Sequence, residues 1–210
     1  MAAFDLQEQE QIAEIKALWA KWGALISLTV VAMVAGYLGR QGWAAYKQHQ
    51  GEAAAQAYAA VEKAFTAHDA AKTRAAAEAM VSGESGHALT ARAMLLAAKS
   101  AYDAKDLEHA KSALQWVVAN AKEGSIADIA SLRLANVLID QKQYDAALQA
   151  VTTPKAEDYA GLFADARGDV LAVKGDTAGA RKAYQEAMTK LDKQTPAYQV
   201  VQTKLSALGA

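Results

Sequence analysis

The sequence predicts an all-α protein: one membrane-crossing helix near the N-terminus, then a solenoid of helix-turn-helix repeats closed by a C-terminal capping helix. Three observations carry that prediction. Residues 22–39 hold no charged side chain. Small residues recur in pairs twelve positions apart, and these pairs repeat along the rest of the chain. Only two prolines, Pro154 and Pro196, occur in 210 residues rich in strong helix formers.

Composition removes several function classes. The formal net charge is -1, without the basic surplus that a nucleic-acid binder needs to neutralise phosphates. There is no cysteine, so disulfides, thiolate metal sites and cysteine nucleophiles are excluded.

The N-terminal segment divides at the charges. Between Lys21 and Arg40 the chain reads WGALISLTVVAMVAGYLG. As a helix this is about 27 Å long, close to the roughly 30 Å of a hydrocarbon core. Trp19 and Trp22 stand at one edge, Trp43 and Tyr46 at the other, where amphipathic rings prefer the membrane interface. Asp5 with Glu8 reads as a capping box that starts a helix. Ile12, Ile15, Leu18, Trp19 and Trp22 continue it at spacings of three and four. The expected division is a juxtamembrane helix over 1–21, a transmembrane anchor over 22–43 and a repeat domain over 44–210. A cleaved signal peptide would need a basic N-terminal region. Asp5, Glu8, Glu10 and Glu14 stand there instead, and no clear A-x-A site follows the run before the chain becomes helical and polar. An uncleaved anchor in a lipid bilayer is therefore expected. Lys16 and Lys21 against Arg40 and Lys47 leave its orientation undecided.

The repeat is read from the paired small residues: Ala98 with Ala110, Ala135 with Ala147, Gly168 with Ala180, and Ala64 with Ala76. Successive second members lie 34, 37 and 33 residues apart. The tetratricopeptide repeat has a period of 34, and in it two antiparallel helices cross closely at small residues. Turns at Lys105-Asp106-Leu107, Lys142-Gln143-Tyr144 and Gly175-Asp176-Thr177 separate the pairs. The repeats are expected over 57–90, 91–127, 128–160 and 161–194. His68-Asp69-Ala70-Ala71 matches the turn pattern poorly, so the first repeat fits least well. Pro154 should stop the second helix of the third repeat near Val151. Thr195 as N-cap and Pro196 at the first helical position start a final helix with Tyr198, Val201, Leu205 and Leu208 on one face. A solenoid needs such a cap over its last repeat.

No constellation for chemistry emerges, so no enzyme and no cofactor is expected. His49, His68, His87 and His109 are scattered and form no metal spacing. Arg167-Gly168-Asp169 is an RGD string inside a predicted helix. Gly83-Glu84-Ser85-Gly86 lacks the G-K-[ST] ending of a phosphate cradle. No serine has a plausible histidine and aspartate around it. The informative surface is the groove lined by the first helix of each repeat. By register it includes Tyr58, Val61 and Phe65; Arg92, Leu95, Lys99 and Tyr102; Leu132, Asn136 and Ile139; and Leu162, Asp165 and Asp169. Of these Tyr58, Phe65, Arg92, Lys99, Tyr102, Leu132, Asn136, Asp165 and Asp169 are the candidates for protein binding. Arg, Lys and Asn together suit a peptide carboxylate, whereas Asp165 and Asp169 oppose one. Packing between repeats competes with binding for all of them.

An acidic N-terminal helix, a single anchor and four such repeats together resemble the YfgM family, ancillary subunits of the bacterial SecYEG translocon. The most specific stretch runs from Ala166-Arg167-Gly168-Asp169 through Leu171, then Lys174-Gly175-Asp176, then Ala180-Arg181-Lys182-Ala183-Tyr184. It is similar to that family's RGD-x-L, GD and AR-x-AY signature in the last repeat. The resemblance implies a single-pass protein of the bacterial inner membrane, with a cytoplasmic N-terminus and a periplasmic repeat domain. It implies a scaffold at the SecYEG translocon, paired with a PpiD-type membrane-anchored periplasmic chaperone and acting on translocating client proteins. The alternative reading of the residues is a membrane-anchored assembly factor for another envelope complex.

Overall fold

The computed structural model of the protein describes residues 2–84, 86 and 88–209, and of residues 2–7, Gln9 and Glu84 it describes the backbone only. The expected side-chain cap at Asp5, and the readings on Ser85 and His87, lie outside the described residues. All regular structure among those described is helical. The elements are α1 (Ala2–Thr66), α2 (Ala70–Glu84), α3 (Ala88–Asp103), α4 (Leu107–Asn120) and α5 (Gly124–Asp140). After them come α6 (Tyr144–Ala150), a 3-10 turn (Glu157–Tyr159), α7 (Ala160–Lys174), α8 (Thr177–Lys190) and α9 (Pro196–Ala207).

The chain divides into two units, one ending at Glu52 and one beginning at Ala53. The first consists of α1 up to that point. Its apolar side chains stand open: Leu28, Val31 and Leu38 are all more than 60% exposed. The core helix of a globular domain would bury such side chains. Among the described residues α1 is the one helix long and apolar enough to cross a membrane. Its aromatic residues sit with cations at both edges, Lys21 over Trp22 and Lys47 over Trp43. That arrangement suits a headgroup region, where a ring and a charge are each partly solvated.

The second unit is built from helix pairs, and one turn recurs in each. At its centre stands a residue with positive φ: His68 (55°), Lys105 (65°), Lys142 (58°) and Gly175 (90°). The following residue donates its N–H to a carbonyl five positions back, Asp69 to Ala64, Asp106 to Ala101, Gln143 to Leu138 and Asp176 to Leu171. This is the left-handed helix stop that satisfies the last carbonyls of the incoming helix. In three of the four, the same residue then caps the outgoing helix. The carboxylates of Asp69, Asp106 and Asp176 accept from the backbone N–H of Lys72, His109 and Gly179. Gln143 makes no such bond.

The close-contact residues lie seven before and five after each turn residue. Ala98 and Ala110, Ala135 and Ala147, and Ala180 are buried. Gly168 is buried too, and a Cβ there would stand 2.3 Å from the Tyr184 ring. In the first repeat the register differs from the one expected. His68 forms the same turn as its counterparts, so the paired positions are Val61 and Thr73, both fully buried. Ala64 and Ala76 are only partly buried. Thr73 fits because its hydroxyl donates to the Asp69 carbonyl at 2.8 Å.

α6 has only 7 residues where α4 and α8 each have 14. It stops at Ala150 with Val151 as C-cap, as Pro154 requires. The segment after it is strapped down by the buried carboxylate of Asp128, which accepts from the backbone N–H groups of Lys155 and Ala156, each at 2.8 Å. Lys155 Nζ then donates to the Val118 carbonyl in the last turn of α4. The main core runs from Val61 to Val170, and a smaller cluster of Ala164, Ala180, Tyr184, Ala187 and Val201 joins α7, α8 and α9. Thr195 caps α9 and Pro196 opens it, as the sequence predicts.

Two stability outcomes follow. Ala147 is fully buried at a crossing, so Ala147→Leu should cost roughly 1–3 kcal/mol. Exposed Ala178 should tolerate leucine within about 0.5 kcal/mol. Thermal melting of the two variants checks the register, and equal shifts would refute it. At Lys142 the left-handed backbone costs an L-residue about 1–2 kcal/mol. Glycine there forfeits about 0.5–1 kcal/mol of backbone entropy. Lys142→Gly should therefore stabilise by about 0.5–1 kcal/mol in denaturant unfolding.

Candidate protein-binding groove

The first helices of repeats two and three, α3 and α5, enclose a concavity of about 450 Å³. Its floor is apolar, formed by Ala98, Leu114 and Val137, and its rim carries Lys99, Tyr102, Arg133, Asn136 and Asp140. Helix periodicity explains the rim. Lys99 and Tyr102 share a face of α3, and residues 133, 136 and 140 share one of α5. The Tyr102 hydroxyl donates to Asp140 Oδ2 at 2.7 Å across the groove. That bond to a carboxylate pushes the Tyr102 phenol above its ordinary range. Lys99 is paired with Asp103 one turn on.

The structure brings only some of the predicted binding residues together. Lys99, Tyr102 and Asn136 line this groove. Tyr58 and Arg92 stand near one another towards the first repeat. Burial pushes the Tyr58 phenol up, Glu62 adds to that, and the Arg92 charge opposes it. Arg92 also approaches Glu123 at 3.8 Å. Leu132 packs on the core, and Phe65 is half-buried. Arg133 and Asp140 were missed by the sequence reading. Their signal was present, because they flank Asn136 at helical spacing.

Asp165 and Asp169 are engaged inside the molecule. Lys204 of α9 reaches both, at 2.8 Å each, and the Tyr184 hydroxyl donates to Asp169 at 2.8 Å. Burial raises the Asp165 carboxyl above its usual range despite Lys204, and Asp169 beside it works in the same direction. Burial opposes the charge on Lys204, but the two carboxylates outweigh it and leave the ammonium harder to deprotonate. The Tyr184 phenol is pushed far up, first by burial and then by Asp169. These charges hold α9 onto α7 and α8.

A second cleft, of about 340 Å³, opens between α2 and α4, beside Trp116. Arg74 Nη1 lies 2.5 Å from His109 Nε2, and His109 Nδ1 lies 2.5 Å from Asp106 Oδ2. A guanidinium can only donate, so Nε2 accepts and Nδ1 carries the proton. Among the described residues no group of three or more potential metal ligands is present.

The chain is similar in sequence to known proteins along nearly all of its length. The family model of a tetratricopeptide repeat-like domain matches residues 16–210. An ancillary SecYEG translocon subunit of Neisseria gonorrhoeae is 33% identical over 98% of this chain and 99% of its own length. The protein of that name from Escherichia coli K12 is 33% identical over 96% of each chain. The chain belongs to the YfgM family of ancillary SecYEG translocon subunits. A Haemophilus influenzae member is 28% identical over 88% of this chain and 90% of its own.

The stretch that resembles the YfgM signature has a structural task at nearly every letter. Arg167 donates to the Val151 carbonyl at the end of α6 and pairs with Glu186. Gly168 admits the Tyr184 ring. Gly175 makes the left-handed turn and Asp176 caps α8. Arg181 donates to the Leu208 carbonyl at the end of α9.

The Tyr184–Lys204 cluster predicts an alkaline weakness. Both groups hold protons more tightly folded than unfolded, where a tyrosine and a lysine titrate near about 10 and 10.4. Above about pH 10 the unfolded chain releases protons that the folded chain retains, so stability falls as pH rises. The melting temperature should drop more steeply between about pH 9.5 and 11 for the native chain than for Tyr184→Phe. Parallel profiles would show that Tyr184 carries no such linkage.

Proposed function

We propose that the protein is a non-catalytic, membrane-anchored scaffold at the SecYEG translocon. The anchor is the uncharged run 22–39 of α1, within a transmembrane segment at 22–43 that follows a juxtamembrane helix at 1–21. The repeats lie on the periplasmic side and the N-terminus in the cytoplasm of a bacterial inner membrane. There the repeat domain works beside a PpiD-type membrane-anchored chaperone on segments emerging from the translocon.

The observation that carries this reading is the near full-length match to ancillary SecYEG translocon subunits, covering both the apolar helix and the repeats. The geometry supports it from two sides. α1 exposes apolar side chains that only lipid would shield. The groove between α3 and α5 combines an apolar floor with a polar rim, a design for binding protein segments.

Co-purification of the tagged full chain in mild detergent tests the reading. Translocon subunits together with a periplasmic chaperone are the expected partners. A different envelope complex in their place would support the assembly-factor alternative. Protease added to spheroplasts should digest the repeats and leave a short anchored fragment. Full protection until the inner membrane is lysed would put the repeats in the cytoplasm and overturn the role at the translocon exit.

A further inference from the structure

The wall that α5 contributes to the groove carries three polar side chains in one row. Arg133, Asn136 and Asp140 follow one another at helical spacing and all face the same concavity. The row spans roughly 10 Å at 1.5 Å of rise per residue. These side chains differ in what they already touch. Lys99, opposite, is neutralised by Asp103. Asp140 accepts from the Tyr102 hydroxyl, which is neutral, and so keeps an unbalanced negative charge. Among the described residues, neither the Arg133 guanidinium nor the Asn136 amide has a hydrogen-bond or ion-pair partner. Both are exposed.

We propose that this row binds a polypeptide segment in the polyproline II conformation, bearing an acidic and a basic side chain three residues apart, which at about three residues per turn and about 3.1 Å per residue stand on one face about 9 Å apart, with an apolar one between them. This deepens the scaffold reading and rests on it. The acidic side chain pairs with Arg133, whose planar fork matches a carboxylate. Asn136 offers the segment's backbone both a donor and an acceptor. The basic side chain reaches Asp140, and the apolar one covers Ala98 and Val137. Charge complementarity then sorts apolar segments. A doubly acidic segment sets its second carboxylate against Asp140. A doubly basic one sets a cation against Arg133.

Four fluorescein-labelled peptides test this, with cores Glu-Leu-Val-Lys, Glu-Leu-Val-Glu, Lys-Leu-Val-Lys and Gln-Leu-Val-Gln in glycine-serine flanks. Each is titrated by anisotropy against the full-length chain in detergent micelles. The first should bind about fivefold more tightly than the others. Arg133→Glu should move the preference to the doubly basic peptide, and Asp140→Lys to the doubly acidic one. Equal affinities for the native chain, or variants that leave the ranking unchanged, overturn the proposal. Should a charge reversal fail to fold by circular dichroism, Arg133→Gln and Asp140→Asn replace it. Each must then abolish discrimination at its own end, and retained discrimination overturns the proposal. SecYEG co-purification with no peptide discrimination would sink this inference and leave the scaffold reading standing. Peptide discrimination without SecYEG would do the reverse.

Discussion

The repeat domain depends on one constraint: two helix backbones must cross closely on either side of a left-handed turn. Small or tightly packed side chains permit the crossing, and the turn sets its phase. A residue with positive φ ends the first helix, the next residue caps the second, and the contact positions fall seven before and five after. At Gly168 the approach is so close that a single methyl would meet the Tyr184 ring. Where glycine occupies the turn, as at Gly175, the backbone adopts it without strain. His68, Lys105 and Lys142 adopt it against their preference, because the five-back hydrogen bond and the packing on both sides hold them there. Burial of the paired helices thus determines the turn more than the turn residue does.

That ordering explains what could be read from the sequence. Repeats two to four announce themselves because Ala or Gly occupies both contact positions and a polar turn lies between. The first repeat hid its register, since Val61 and Thr73 are not the smallest residues and nearby alanines offered a false match. Pro154 and the Thr195-Pro196 pair were legible because their effects are local: a missing donor and a fixed φ. The fates of Asp165 and Asp169 were not. Lys204 stands 35 to 39 residues further along the chain, and no local pattern announces a partner at that distance. Asn136 was found by register, and its rim neighbours Arg133 and Asp140 were passed over although the same helical spacing carries them.

The short α6 shows how a local break becomes a packed feature. Ending the helix at Ala150 leaves carbonyls and a connecting segment to be satisfied. Arg167 takes the Val151 carbonyl, and Asp128 takes two backbone N–H groups of the strap. A carboxylate as buried as that of Asp128 would be costly alone, but two charge-assisted hydrogen bonds offset its desolvation. The same arginine reaches Glu186 on α8, so repeat three is tied to repeat four through the helix that Pro154 cut short. The RGD string is no adhesion loop here: it lies within α7, and its residues pack on and bond to the end of α6, α8 and α9.

Charge is spent differently along the concave side, and that difference locates binding capacity. On α7 the two carboxylates are consumed by Lys204 and Tyr184, and removing them would loosen α9 before it altered any ligand. On α3 the Lys99–Asp103 pair is closed within one helix. On α5 the Arg133 guanidinium faces solvent beside an apolar floor. A scaffold gains affinity where a buried anchor and an unsatisfied charge coincide, because the partner then supplies what the free protein lacks. Sites whose charges are already paired must break one interaction to make another, and the gain largely cancels. By that reasoning the proposed recognition falls to the second and third repeats, while the fourth repeat and α9 hold one another through paired charges.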